Sequence, residues 1–226
     1  MRGIGVSPGI VNGYVVKKSE PLRIVEKKVV TDSEAEMKKL NNARQKSIEQ
    51  IEKILCCLMQ DNRDEEAQIF DAHKALVNDD VFFGEVEQKI IIENVNAEWA
   101  LKAITEKYLK SFESFEDEYL RERKVDIIDV TNRITNILMG IEESDLIDFS
   151  ENMVIVAKDL APSDFVQINL TKVIGFVTEK GSRTSHVSIM AKSFGVTAVV
   201  GVQEILTKAN NGDAILLDGE EGTVIL

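Results

Sequence analysis

The chain has two histidines, His73 and His186, and the surroundings of His186 are rich in groups that can handle phosphate. The run is Gly181-Ser182-Arg183-Thr184-Ser185-His186-Val187-Ser188-Ile189-Met190-Ala191-Lys192. An apolar, β-branched segment, Val173 to Thr178, precedes it and reads as a strand. A Gly/Ser/Thr-rich loop follows, then a short amphipathic helix over about Val187–Phe194 that Gly195 can terminate. Thr184 or Ser185 is the natural N-cap, which puts His186 at the first helical turn. Backbone amides at a helix start point toward an anion, and the helix dipole adds positive potential. A phosphoryl group carried on the imidazole would meet those amides, the Thr184 and Ser185 hydroxyls and the Arg183 guanidinium. A lone histidine after Thr-Ser would read as a capping or surface-turn residue. The combination of arginine and two hydroxyls at a strand–loop–helix junction points instead to phosphate chemistry. No Gly-Lys-Ser/Thr follows the loop, so ATP hydrolysis of the Walker type is not supported.

Other chemistries find little here. Two histidines cannot build a histidine-rich metal site. Cys56 and Cys57 are adjacent, form no CxxC pair and share no zinc-ligand spacing with either histidine. They read as small hydrophobes on or near a helix face in a reducing, cytoplasmic setting. With Lys+Arg 27 against Asp+Glu 39, the net charge is −12 and the pI about 4.8. Such a surface repels nucleic acid and suits a basic protein partner. No segment approaches the roughly 18–20 apolar residues that cross a membrane, and Met1–Val16 has no signal-peptide pattern.

The elements that must position the loop change character twice along the 226 residues. Met1 to about Lys18 reads as strand and turn, with Ser7-Pro8-Gly9 as the turn. From Thr31 and Asp32, both N-cap candidates, the pattern becomes helical: Met37, Leu40, Ile48, Ile51, Leu55 and Leu58 mark one face of a long helix. Further helices are predicted over about Asp64–Val77, Gly84–Asn94, Ala97–Phe115 and Glu118–Met139. Short apolar strands then recur at Met153–Ala157, Val173–Val177, Thr197–Val200, Ala214–Leu217 and Thr223–Leu226, with a helix near Ser163–Asn169. An isolated N-terminal hairpin is marginal in water and needs a sheet to join. The expected fold is therefore α+β: an α/β domain made by both chain ends, residues 1–20 and 145–226, with an all-α domain of helical hairpins, 21–144, inserted between them.

The histidine run resembles the phosphohistidine signature of Enzyme I, the phosphoenolpyruvate–protein phosphotransferase of the bacterial sugar phosphotransferase system. Gly5-Val6-Ser7-Pro8-Gly9-Ile10, Glu118-Tyr119-Leu120-Arg121-Glu122-Arg123 and Asp159-Leu160-Ala161-Pro162-Ser163-Asp164 resemble three further segments of that family, in the same order. One departure is Ser182, where the family usually has a second glycine; altered loop flexibility is the expected consequence. The resemblance implies a swivelling phosphohistidine domain in which His186 is the phosphorylated nucleophile, with Arg183, Thr184 and Ser185 stabilising the phosphate. It implies transfer of that group to the histidine of the small carrier HPr. It also implies a phosphoenolpyruvate and Mg2+ site in a C-terminal barrel beyond Leu226, so that no cofactor is expected within 1–226. The chain should then exchange phosphate with phospho-HPr but not use phosphoenolpyruvate alone.

The helical insert offers the docking face. Between Asp61 and Asp80 the acids Asp61, Asp64, Glu65, Glu66, Asp71, Asp79 and Asp80 outnumber Arg63 and Lys74, with Ile69, Phe70, His73, Leu76, Val77 and Phe82 interleaved. By resemblance, Glu65, Ile69, His73, Leu76, Asp79, Asp80, Phe82, Leu120 and Arg123 contact HPr, with His73 a contact or a core residue and not a nucleophile. Acids rimming apolar anchors suit a carrier with a basic rim. Two other readings stay open: the swivelling domain of a pyruvate phosphate dikinase or phosphoenolpyruvate synthase, and a non-catalytic acidic adaptor in which His186 only caps a helix.

Overall fold

The structure, a computed structural model, describes residues 1–18, 23–112, 118–141, 152–167 and 171–226; for 118–122 and 166–167 it describes the backbone alone. The chain forms two compact units, Met1–Glu20 with Ser144–Leu226, and Pro21–Glu143.

The second unit is helical: α1 (Ser33–Gln60), α2 (Asp64–Val77), α3 (Asp80–Glu93), α4 (Ala97–Phe112) and α5 (Glu118–Met139). Asp32 starts α1 by accepting from the Ala35 amide at 2.9 Å, and Glu34 and Glu36 lie in its first turn, where the dipole favours acids. The buried stripe of α1 is Leu40, Ala43, Ser47, Ile51, Ile54, Leu55 and Leu58. Helix α3 begins at Asp80, not Gly84, because Asp79 caps it: one carboxylate oxygen accepts from Val81 N (2.8 Å) and Phe82 N (3.0 Å). The expected extension of α4 to Phe115 lies outside the described residues.

The first unit carries one seven-stranded sheet: β1 (Ile4–Ser7), β2 (Ile10–Lys17), β3 (Met153–Ala157), β4 (Val173–Thr178), β5 (Thr197–Val200), β6 (Ala214–Asp218) and β7 (Thr223–Ile225). Their order is β1-β5-β4-β3-β2-β6-β7. Strands β2 to β5 run parallel, and β1, β6 and β7 pair antiparallel. Parallel neighbours require crossovers. Helix α6 (Pro162–Gln167) supplies one between β3 and β4, and α7 (His186–Ser193) another between β4 and β5. A further turn of helix, α8 (Ile205–Lys208), has no sequence expectation behind it. The free edge of β7 is tied back to the chain start by a bridge from Arg2 to Thr223 and by Gly3 N donating to Gly222 O at 2.9 Å. Alternate residues point to opposite faces. Val15, Val154, Val156, Val177, Val199, Ile215, Leu217 and Val224 pack with α8 on one face. On the other, Phe165 of α6 meets Phe176 of β4 with ring centroids 4.8 Å apart. A Cβ on Gly13 would lie 2.3 Å from the Asn152 carbonyl oxygen, so that position needs glycine for close approach.

Among the described residues no helix is long and apolar enough to cross a membrane.

One ion pair of the helical unit gives a pH signature. Glu98, in the first turn of α4, pairs with Lys39 and accepts from Asn96 Nδ2 at 2.9 Å. Burial pushes its carboxyl up, but hydrogen bonds from Lys39, the backbone and Asn96 outweigh burial and hold it below its ordinary value. A carboxyl depressed in the fold contributes stability above its unfolded pKa and loses it as pH falls through the folded one. Glu98→Gln should therefore lower the melting temperature at about pH 7 and leave it little changed below about pH 3. Thermal unfolding followed by circular dichroism tests this; an equal loss at both pH values would assign the effect to packing.

Candidate functional site

The loop after β4 places His186 where an anion could be held. Gly181 takes φ +118°, and a Cβ there would meet the Val200 side chain at 3.0 Å, so the backbone turns sharply against β5. Ser182, in contrast, does not take a positive φ. A serine therefore sits there without backbone strain, and its Oγ lies 3.0 Å from Thr184 Oγ1, tethering the loop to itself. Helix α7 opens at His186 with Ser185 as N-cap in an extended conformation, φ −64° and ψ 152°. The N-cap position matches expectation, but the capping hydrogen bond is absent: Ser185 Oγ donates to the Ser182 carbonyl at 2.9 Å. The amides of Ser188 and Ile189 already donate to Ser185 O, at 2.9 and 3.1 Å. The amides of His186 and Val187 lie ahead of them at the helix start.

Gly181 to Thr184 are exposed, and Ser185 and His186 half-buried. The underside of α7 is not free. Val187, Met190 and Ala191 are buried, and Ser7 Oγ donates to Ala191 O at 3.4 Å across a separation of 184 residues. Phe194, just after the helix, stacks on Phe165 at 6.2 Å. The opening Ser7-Pro8-Gly9 turn thus bears directly on α7, and the Pro8 carbonyl accepts from Thr197 Oγ1 at 3.3 Å. The exposed Arg183 and Thr184 and the half-buried Ser185 and His186 are consecutive at the start of a fixed helix.

In the helical unit, α2 to α5 enclose a groove of roughly 280 Å³. Four of the residues expected to contact HPr, Leu76, Asp79, Phe82 and Arg123, line it. Tyr108, Phe112, Ile127, Val130 and Thr131 line it too and were not foreseen. Their signal was present: 123, 127, 130 and 131 recur at helical spacing, and such a stripe reads as core when no groove is known. Phe82 packs edge-on against Phe83 and Tyr108, with centroids 5.1 and 5.0 Å away. Tyr108 donates to Glu85 at 3.3 Å; burial, then the Glu85 carboxylate, raises its phenol above the ordinary value. Arg44 of α1, also unforeseen, donates to Val77 O at 3.0 Å, stacks 4.1 Å over Phe83 and comes within 3.9 Å of Asp80.

The remaining expected contacts divide. Glu65 and Asp80 are exposed and Ile69 half-buried. Asp79 is exposed but committed to capping α3. The side chain of Leu120 lies outside the described residues. His73 is not on the surface: it is fully buried, with Nε2 3.2 Å from Asp126 Oδ1 and Nδ1 3.9 Å from Asp129 Oδ2. Glu66, counted among the rim acids, is buried as well, 3.9 Å from Arg63. Positions 66, 70, 73 and 77 follow one helical face, and α2 turns that face against α1 and α5. Among the described residues no group of three His, Cys, Asp or Glu side chains could hold a metal ion.

Removing the partner of a buried imidazole leaves a polar group unsatisfied. Asp126→Ala should cost the helical unit about 1–3 kcal/mol. Urea unfolding monitored at a helical-unit signal measures it, and an unchanged midpoint would show that the His73 contact carries no stability.

Comparison with known proteins fits this geometry. The model of the PEP-utilising enzyme N-terminal family matches residues 2–123, and that of the PEP-utilising enzyme mobile domain matches 149–222. The phosphoenolpyruvate-protein phosphotransferase of Bacillus subtilis (strain 168) is 41% identical over the whole chain, and that of Priestia megaterium 40%. The chain covers 40% and 39% of those two relatives, so it spans about two fifths of their length. A solution structure of an Enzyme I protein superposes with a TM-score of 0.78 at 37% identity, covering 99% of this chain and 91% of that one. The N-terminal domain of a nitrogen-type Enzyme 1 shares the fold, with a TM-score of 0.65 at 21% identity. The chain belongs to the PEP-utilising enzyme family, and its similarity over its whole length is to the N-terminal part of Enzyme I, the phosphoenolpyruvate-protein phosphotransferase.

Proposed function

We propose that the chain carries a phosphoryl group on His186 and exchanges it with the histidine of HPr. The single observation behind this is the half-buried imidazole at the open start of α7, beside the exposed Arg183 and Thr184. In the transfer, a nitrogen of His186 forms a bond to phosphorus as the corresponding bond on the partner histidine breaks. The second nitrogen of His186 gives up one proton and the second nitrogen of the departing ring gains one, so charge is conserved. Donor and product are both phosphoimidazoles, so the step is near balance. Catalysis then rests on alignment and on neutralising the charge spread over the equatorial oxygens. Arg183, Thr184, Ser185 and the first-turn amides supply that neutralisation.

The docking site for HPr is the groove of the helical unit. Leu76 and Phe82 offer apolar anchors, Arg123 a cation, and Glu65 and Asp80 an acidic rim for a basic carrier. Asp79 contributes to the same rim while capping α3. We assign the use of phosphoenolpyruvate, and of Mg2+, to the remaining length of the relatives; no step above passes through a metal. A cytoplasmic sugar phosphotransferase role is consistent with the named relatives.

Incubation with phospho-HPr should label the chain with acid-labile, base-stable phosphate, and His186→Ala should abolish the label. Binding without labelling would leave an acidic adaptor, and absence of any interaction in folded protein would exclude HPr as the partner. Arg183→Ala should slow transfer by roughly 100-fold while changing HPr affinity little, because the guanidinium acts on developing charge. Equal losses in rate and affinity would contradict that role. Glu65→Lys with Asp80→Lys should slow HPr association about tenfold at low salt and flatten its salt dependence. These two positions avoid the capping loss that Asp79→Lys would add. An unchanged association rate would remove them from the interface.

A further inference from the structure

We propose that Ser188 is a positioning residue for phosphoryl transfer: its buried hydroxyl holds the Ser182 carbonyl so that the Ser185 hydroxyl is free to turn toward the phosphoryl group. This rests on His186 being the phosphorylated residue.

Ser188 is fully buried, so it cannot itself touch a phosphoryl group. Its Oγ donates to Ser182 O at 2.6 Å and lies 3.1 Å from Ser185 Oγ. Ser185 Oγ also reaches Ser182 O, at 2.9 Å, and the Ser185 amide reaches the same carbonyl at 3.3 Å. The two hydroxyls have one proton each, so at most two of the three oxygen–oxygen contacts are hydrogen bonds at any moment. The triangle contains one contact more than it can satisfy.

That surplus has a direction. With Ser188 donating along the shortest contact, the Ser182 carbonyl is satisfied. The Ser185 proton then has two inward acceptors, the Ser182 carbonyl at 2.9 Å and the Ser188 hydroxyl at 3.1 Å, neither of which depends on it. Turning it outward to an anion beside His186 leaves no carbonyl unpaired. Without the Ser188 hydroxyl, Ser185 becomes the only hydroxyl donor to that carbonyl. Redirecting it would then leave that carbonyl only the longer contact from the Ser185 amide, at 3.3 Å. Ser188 lies two residues beyond His186 on the same helix, and Ser182 opens the loop, so the bond also fixes the first turn of α7 against the loop.

The test is a double-mutant cycle in the full chain, read as single-turnover transfer from saturating phospho-HPr. Ser185→Ala should slow transfer about tenfold and Ser188→Ala about fivefold, with apparent HPr affinity unchanged in both. The double variant should be no slower than Ser185→Ala alone, because Ser188 acts through Ser185. A purely structural role would multiply the two losses and would move the melting temperature with the rate. If Ser188→Ala melts far below the parent, Ser188→Cys, close in volume and a weak donor, supplies the same comparison and should recover part of the rate. Multiplying losses, or a Ser188→Ala variant that transfers at the parent rate, would overturn the proposal while leaving His186 as the phosphorylated residue. Absence of label on His186 in the parent chain would remove the transfer function itself, and the role of Ser188 with it.

Discussion

Helix α7 must be held firmly on one side and left open at one end. The proposed role asks the imidazole of His186 to stay open to a partner protein, while the donors around it are set before the group arrives. The chain meets both demands with a short amphipathic helix. Its underside, Val187, Met190 and Ala191, is buried, while the stretch from Gly181 to Thr184 stays exposed. The anchor comes largely from the far end of the sequence. Ser7 reaches the Ala191 carbonyl, and the Pro8 carbonyl takes the Thr197 hydroxyl. The N-terminal strands are therefore part of the site's foundation, although none of their residues is close in sequence to His186.

The helical unit solves a different problem. It lines a groove with apolar side chains while Asp79 and Asp80 beside it stay exposed. Its interior holds polar groups that are only partly paired: His73 Nε2 meets Asp126 while its Nδ1 makes no hydrogen bond, and Glu66 lies 3.9 Å from Arg63. Removing either half of such a pair leaves a buried group whose desolvation is uncompensated. Arg44 shows the opposite economy. One guanidinium joins the end of α2, the ring of Phe83 and the neighbourhood of Asp80, so the groove's wall is set by a residue far away on α1.

Several features were legible because they are local. Short apolar runs marked β3, β4 and β5, and the ranges expected for α2 and α5 agree with the observed helices. The strand–loop–helix junction around His186 was visible for the same reason. Other features were hidden because they depend on which face a helix turns inward. His73 and Glu66 sit among genuinely exposed acids in sequence, and only the packing of α2 against α1 and α5 separates them from Glu65. The early start of α3 was missed because Asp79 looked like surface charge rather than a cap. Tyr108, Phe112 and Val130 were not singled out, because nothing local distinguishes a groove wall from an interior.

The sequence by itself determined the residue types at the candidate site, the elements that flank it and the excess of acid in the helical unit. These follow from short-range spacing, which backbone geometry converts directly into helix or strand. The tertiary structure decided the rest. It paired β2 between β3 and β6, set Ser7 against α7, closed the Ser182–Ser185–Ser188 triangle and buried His73. Each of these joins groups by contacts through space, and the energy that selects them comes from burying whole faces together, which no window of neighbouring residues contains.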